Sequence, residues 1–141
     1  MKTAKLLVLA IATALAALLA LPSSQALAAG YVVDVTADDP GLFFLACTAS
    51  PGDCSLRGAI TNANASVAAD TIFFDAAIFP SGAPATIDIG SALPSLTGGG
   101  DTIYGTDRGV IVTTGDEGRT SSCIVIGSAG NTIKGLQLTD C

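Results

Sequence analysis

Short runs of β-branched and aromatic residues, separated by Gly, Ser, Asp and Pro, make up most of the chain after residue 70. This pattern predicts short β-strands joined by turns, and no helix-length apolar period separates them. The predicted strands cover residues 70–74, 85–90, 101–105, 109–114, 123–127 and 131–138. The C-terminal half of the chain is therefore predicted to be all-β.

A Thr-Ile pair recurs in four of these strands, beginning at residues 71, 86, 102 and 132. Such recurrence indicates small repeats, each of which buries its core only by stacking on its neighbours. An antiparallel sandwich and a parallel β-solenoid both fit short strands with frequent turns. A sandwich is expected to contain Asn-Gly or Asp-Gly hairpins, and neither dipeptide occurs. The pattern therefore favours the solenoid.

The chain between residues 31 and 70 has a different pattern of apolar and polar residues. Residues 31–36 predict a strand that runs into a turn at 38–41, and residues 42–47 predict a second short strand. Residues 55–65 predict a helix, because one apolar stripe recurs there at helical spacing. The stripe consists of Leu56, Ala59, Ile60 and Ala63.

The start of this helix is incomplete. Ser55 is a favourable N-cap, and a capping box would place Glu or Gln three residues later. Gly58 stands there instead. Glycine cannot return the capping hydrogen bond and weakens a helix interior, so we predict that Gly58→Glu raises the unfolding free energy by roughly 0.5–1.5 kcal/mol.

The first 28 residues have the features of a secretory signal peptide. Lys2 and Lys5 precede an apolar stretch at residues 6–21, and the small residues Ala26 and Ala28 offer a cleavage site. The apolar stretch is short for a bilayer span, so we expect removal of residues 1–28 and no membrane span in the mature chain. The sequence thus predicts a secreted or cell-surface protein.

Charge and composition exclude several classes of function. Without Lys2 and Lys5, four basic residues face twelve acidic ones, a formal net charge of −8. A uniformly acidic chain is a poor partner for nucleic acid or an anionic membrane. The complete absence of histidine removes Ser-His-Asp and Cys-His catalysis and His-based metal centres.

Four cysteines in an exported chain predict disulfides, and three connectivities are possible. Cys47 and Cys54 bracket a turn-rich segment that can fold back on itself, which favours them as a local pair. Cys123 and Cys141 then form the second bridge.

The segment "CSLRGAITNANA" (residues 54–65) resembles the CSLREA motif. In exported bacterial proteins that motif marks an N-terminal module ahead of a right-handed parallel β-helix. The preceding "VVDVTADDPG" is similar to the opening strand and acidic turn of that module. "TIDIGSALPSLTGGGDTIYG" and "IVIGSAGNTIKGLQLTDC" resemble the first rungs of a pectin-lyase-like β-helix. Two departures stand out: Gly58 replaces the Glu of the motif, and few rungs follow it.

The resemblance implies a division of the mature chain. Residues 29–70 are expected to form an N-terminal cap whose helix covers the open end of the first rung, and residues 71–141 to begin the coil.

Pectin-lyase-like folds include polysaccharide lyases and hydrolases, so acidic and basic residues are candidates for catalysis. They are Asp101, Asp107, Asp116, Glu117, Arg108, Arg119 and Lys134. Each lies in or beside a turn, where such residues serve solubility and turn geometry, and no pair recurs at a spacing that stacks on one face. We therefore predict no catalytic residue.

Metal, cofactor and sugar sites have weak support. Asp34, Asp38 and Asp39 match no EF-hand spacing, and we predict no metal or cofactor. The chain has no Trp to stack on sugars. Phe73, Phe74 and Phe79 are predicted core residues, which leaves Phe43, Phe44 and Tyr104 as candidates for exposed aromatics.

The leading hypothesis is a non-catalytic structural or adhesive role, with extracellular polysaccharide or the cell envelope as partner. The alternative is a fragment of a polysaccharide-active lyase or glycosidase of β-helical fold. A third reading is a capping module with no ligand of its own.

Overall fold

The computed structural model describes residues 26–39, 41–115 and 122–141. One strand, a 3₁₀ helix (Leu42–Phe44) and one α-helix precede six further strands. The strands are β1 (Gly30–Val33), β2 (Thr71–Phe74), β3 (Ala85–Asp88), β4 (Thr102–Tyr104), β5 (Val110–Thr113), β6 (Thr132–Lys134) and β7 (Leu136–Thr139), and the helix is α1 (Leu56–Asn64). Nearly all of the predicted signal peptide lies outside the described residues. Within the described ranges, no helix has both the length and the apolarity needed to cross a membrane.

The strands form two parallel sheets, one in the order β1-β2-β4-β6 and the other in the order β3-β5-β7. From β2 onward, successive strands along the chain alternate between the two sheets. The registers align the repeated Thr-Ile pairs of the first sheet, so that Thr71, Thr102 and Thr132 lie side by side. The predicted β-rich fold with one helix near the N-terminus is confirmed at this level.

The core lies between the sheets and beneath α1. Alternate residues of a strand point to opposite faces, and the inward positions align across neighbouring strands. Ile72 and Ile103 align in the first sheet, Ile87 and Val112 in the second, and all four are fully buried. On the last strand of the second sheet, Leu138 aligns with Val112 but is 46% exposed. Burial therefore decreases towards the β6–β7 edge.

Four predicted strands differ from the structure. Residues 131–138 form two strands rather than one, because the chain turns at Gly135 (φ 70°) and passes from β6 in the first sheet to β7 in the second. Residues 42–47 contain a 3₁₀ turn rather than a strand, because this segment must bend to bring Cys47 back to Cys54. β1 ends at Val33, since the Asp34 amide leaves the sheet and donates to the Cys54 carbonyl over 3.0 Å. Residues 123–127 form no strand and make only an isolated parallel bridge between Leu96 and Ile126.

Candidate functional site

The start of α1 is built around Ser55, which is fully buried. Its hydroxyl oxygen accepts from the Gly58 amide over 3.0 Å, so Ser55 is the N-cap. The same hydroxyl donates to the Phe44 carbonyl over 3.1 Å, and the Ser55 amide donates to that carbonyl over 2.9 Å. The cap therefore also fixes the 3₁₀ segment against the helix.

Crowding at Gly58 explains why no Glu completes the capping box. The prediction that Gly58→Glu stabilises the protein is therefore wrong. A Cβ built on Gly58 would collide with the Phe44 carbonyl oxygen and lie 2.9 Å from Leu45 Cα and 3.2 Å from Cys47 Sγ. Real Cβ atoms do not approach backbone so closely. Gly58 is the site where the disulfide loop crosses the helix, and Gly58→Glu is expected to destabilise the protein.

The apolar stripe of α1 faces inward as its spacing predicts. Leu56, Ala59, Ile60 and Ala63 are each at most 1% exposed. They belong to the same core cluster as Val33 of β1 and Ile72 of β2. The helix therefore covers the edge of the first sheet at its N-terminal side.

Arg57 lies outside the apolar stripe of α1, but the structure buries it. Its guanidinium forms a two-point ion pair with Asp38, with Nε–Oδ1 at 2.8 Å and Nη2–Oδ2 at 2.7 Å. Nη1 donates to the Ala92 carbonyl and Nη2 to the Ser91 carbonyl, each over 2.8 Å. One side chain thus joins the segment after β1, the helix and the loop after β3. A lone Arg in an amphipathic stretch gave no sequence signal for this.

The two disulfides are Cys47–Cys54 and Cys123–Cys141, the pairs that the sequence favoured. The first closes the loop in front of α1, and the second ties the segment before β6 to the end of β7. Together the two bridges use all four cysteines of the chain. Such bridges are typical of proteins in oxidising compartments, so they are compatible with an extracellular protein.

The residue before each Thr-Ile strand of the first sheet forms a ladder. Asp70 Oδ1 accepts from the Ala29 amide over 2.6 Å, Asp101 Oδ1 from the Asp70 amide over 2.9 Å, and Asn131 Oδ1 from the Asp101 amide over 2.8 Å. Each side chain therefore binds the backbone of the strand start before it. The Asp/Asn-Thr-Ile repeat is the sequence signature of this ladder.

The ladder carboxylates are deeply buried, which corrects the expectation that Asp101 serves an exposed turn. Asp101 is 0% and Asp70 1% exposed, and in both residues Oδ2 has no hydrogen-bond partner among the described residues. Burial, followed by the nearby charges of Asp70 and Asp101, raises the pKa of the Tyr31 phenol above 10.0.

The remaining charged candidates do not converge on one point. Asp116, Glu117 and Arg119 lie outside the described residues. Asp107 is exposed, and the half-buried Arg108 donates from Nε to the Phe74 carbonyl over 3.2 Å.

The acidic turn residues have structural partners. Asp34 accepts from the Gly52 and Cys54 amides, and Asp39 from the Gly41 amide. Across the described ranges, no group of three or more acidic or sulfur side chains is arranged to hold a metal ion.

One predicted core aromatic lies on the surface. Phe74 and Phe79 are buried and meet edge to face with centroids 5.2 Å apart. Phe73 precedes Phe74 on β2, so it points to the opposite face of the sheet, and it is 42% exposed. Its ring centroid lies 6.2 Å from that of Tyr104 on the next strand, and Tyr104 is 38% exposed.

These aromatics belong to an outward column that crosses the first sheet. Val32 aligns with Phe73, and Tyr104 aligns with Lys134. We call the four residues Val32, Phe73, Tyr104 and Lys134 the outward column. At its Val32 end lies an open cleft of about 570 Å³, whose lining includes Asp34 and Asp75.

The chain was compared with protein-family models, with curated proteins and with solved structures, and none of them matches it.

Proposed function

We propose that the protein is exported and folds as a right-handed parallel β-helix of the CSLREA type, with a non-catalytic structural or adhesive role outside the cell. Two features support the coil: from β2 onward successive strands alternate between two parallel sheets, and the Asp/Asn ladder recurs at the start of β2, β4 and β6. The hand follows from a general rule, because parallel crossovers are right-handed in nearly all proteins.

The N-terminal module fits a cap on such a coil. β1 is an edge strand of the first sheet, and an uncovered edge exposes unpaired amides and core. α1 buries its apolar stripe against β1 and β2, while Cys47–Cys54, Ser55 and Arg57 hold the preceding loop on the helix. This arrangement supports the assignment of residues 29–70 as a cap and 71–141 as the start of the coil.

The observation that supports a non-catalytic role is that the carboxylates hold parts of the protein's own backbone and side chains. Most of the described aspartates accept hydrogen bonds from the chain's own amides, hydroxyls or guanidinium. Hydrolysis of a glycosidic bond instead needs two carboxylates facing each other across a substrate. Groups committed to holding loops and strand starts serve the fold.

The experiment uses the exported chain, immobilised on beads and incubated with cell-envelope fragments of the producing cells. We expect the beads to retain envelopes, and beads carrying reduced and alkylated protein to retain far fewer. Equal retention on both kinds of bead would overturn the adhesive role. A parallel assay for release of reducing or unsaturated sugar ends, with and without calcium, should show no turnover, and turnover would overturn the non-catalytic part.

A further inference from the structure

The residue that signal-peptide cleavage would make the N-terminus lies on a buried carboxylate. Cleavage after Ala28, the site that the sequence predicts, leaves Ala29 as the first residue. The Ala29 nitrogen is 2.6 Å from Asp70 Oδ1, and the Ala29 carbonyl accepts from the Thr71 amide over 2.9 Å. The first sheet therefore holds against Asp70 the nitrogen that cleavage releases.

The boundary of the fold coincides with the predicted cleavage site. Residues 26–28 are exposed, and Leu27 is 90% exposed. Ala29, in contrast, is half-buried and directly precedes β1. Removal of residues 1–28 thus leaves both sheets whole and places the new amine at the start of the edge strand.

Asp70 lacks a counter-charge. It is 1% exposed, and its Oδ2 has no hydrogen-bond partner among the described residues. Within the described ranges the one ion pair is Arg57–Asp38, so no basic side chain there pairs with Asp70. Asp101, whose Oδ1 accepts from the Asp70 amide, adds a second buried carboxylate on the next strand. An unpaired buried charge is costly, so a cation beside Asp70 would stabilise the fold.

From this geometry, we propose that removal of residues 1–28 turns the Ala29–Asp70 hydrogen bond into an ion pair, so that the fold reaches its full stability only after export processing. The inference rests on the proposed export of the protein and gives its processing a structural consequence.

The cleavage step itself supplies the charge. Water adds across the Ala28–Ala29 peptide bond in a reaction catalysed by a peptidase of the export system. Ala28 leaves with residues 1–28 as a carboxylate. The Ala29 nitrogen becomes an α-amine, takes up the proton that this carboxyl group releases, and carries a positive charge at neutral pH.

The Asp/Asn ladder allows such an ion pair at its first step alone. At the later steps the donors are the main-chain amides of Asp70 and Asp101, which cleavage does not change. At the first step the donor is the Ala29 nitrogen. An amide offers one proton, whereas an ammonium offers three and a positive charge, so it can bind Oδ2 of Asp70 as well as Oδ1.

The test compares the mature chain with and without a charge at its N-terminus. Lys134 is exposed and is the one lysine left after removal of residues 1–28, so in a Lys134→Arg parent the α-amine is the only amine. Acetylation in urea with the disulfides intact, followed by refolding, keeps one N–H for Asp70 but removes the charge. We expect acetylation to raise the unfolding equilibrium constant about tenfold to hundredfold. A change of less than about twofold would overturn the ion pair.

A double-mutant cycle assigns the effect of the charge to Asp70. In the Asp70→Asn chain, which keeps an oxygen for the Ala29 nitrogen, acetylation should change the unfolding constant by less than about twofold. Asp75→Asn is the matched control, because it removes one charge just after the other end of β2. It should leave the effect of acetylation at its full size. Equal effects of acetylation in the parent and in both variants would overturn the assignment to Asp70.

A second measurement does not require the Asp70→Asn chain to fold. The α-amine of the parent should be acetylated at least about tenfold more slowly in the folded protein than in urea, because Asp70 holds it as an ammonium. Equal rates in the two states would overturn the proposal.

Failure here is distinguishable from failure of the proposed function. N-terminal sequencing of the exported protein should give Ala29 as the first residue. An exported chain that begins at another residue would overturn the ion pair and leave the export and the adhesive role in place. A chain that stays inside the producing cells with residues 1–28 attached would overturn both.

Discussion

Arg57 and Asp38 form a two-point ion pair that is almost shielded from water. Their side chains are 10% and 1% exposed, and the Nη2–Oδ2 distance is 2.7 Å. Breaking a buried pair leaves one uncompensated charge, which costs more than the pair itself contributes. The pair therefore mainly fixes the segment after β1 against α1.

We expect Asp38→Asn to lower the unfolding free energy by about 3 kcal/mol, because it leaves the Arg57 guanidinium buried without its counter-charge. Urea denaturation of the disulfide-intact protein measures this. The neighbouring Asp39→Asn is the matched control, since Asp39 is exposed and, among the described residues, accepts only from the Gly41 amide. It should change stability by less than about 0.5 kcal/mol. Equal effects of the two substitutions would show that the ion pair does not fix this segment against α1.

Gly58 gives a prediction whose sign differs between sequence and structure. Helix propensity alone favours Gly58→Ala by roughly 1 kcal/mol. The contact of an added Cβ with the Phe44 carbonyl and with Leu45 Cα reverses this. We expect Gly58→Ala to lower the melting temperature and to cost roughly 1–3 kcal/mol, as overpacked sites do.

The matched control for Gly58 is Gly82→Ala, because nothing lies within 4 Å of a Cβ built there. It should be neutral or slightly stabilising. A rise in melting temperature for Gly58→Ala would mean that the loop does not cross the helix as the structure describes.

The two disulfides are predicted to differ in their contributions. Their loops span 7 and 18 residues, and loop-closure entropy gives about 2 kcal/mol for the shorter and about 3 kcal/mol for the longer. Paired Cys→Ser variants, Cys47/Cys54 and Cys123/Cys141, measured by urea denaturation, test this order. A peptide map of the exported protein that joins Cys47 to Cys123 or Cys141 would contradict the pairing itself.

The sequence predicted features that depend on local spacing. The stripe of α1 follows from 3.6-residue periodicity, and the aligned Thr-Ile pairs of β2, β4 and β6 follow from repetition. Ser55 was found as the cap because N-capping involves residues only three positions apart.

The features that the sequence did not predict correctly have a different cause in common. Gly58, Arg57 and Asp101 each depend on a segment distant in sequence: the disulfide loop, Asp38 with the loop after β3, and the neighbouring strand starts. Phe73 was placed in the core because an apolar run hides which of two adjacent aromatics points inward. Register decides that, and a single strand does not specify its register.

The last prediction concerns Tyr31, whose phenol lies near the buried ladder carboxylates. The chain has two tyrosines, so the Tyr104→Phe protein reports on Tyr31 alone through its phenolate absorbance. Burial first, and then the charges of Asp70 and Asp101, raise the pKa of Tyr31, so its midpoint should lie above 10.0 and above that of the same chain in denaturant. A midpoint equal to that of the denatured chain would contradict this environment.

Replacing one carboxylate separates the effect of burial on the pKa of Tyr31 from the effect of the nearby charges. Asp70→Asn keeps an oxygen for the Ala29 nitrogen but removes the charge, so the pKa of Tyr31 should fall without returning fully to that of the denatured chain. Asp75→Asn, a change of equal charge at a residue that does not shift Tyr31, should leave it in place. Because the folded pKa is the higher one, the stability linked to Tyr31 is fully present below pH 10 and is lost as the pH rises through that pKa. Asp70→Asn should therefore make this alkaline loss of stability smaller.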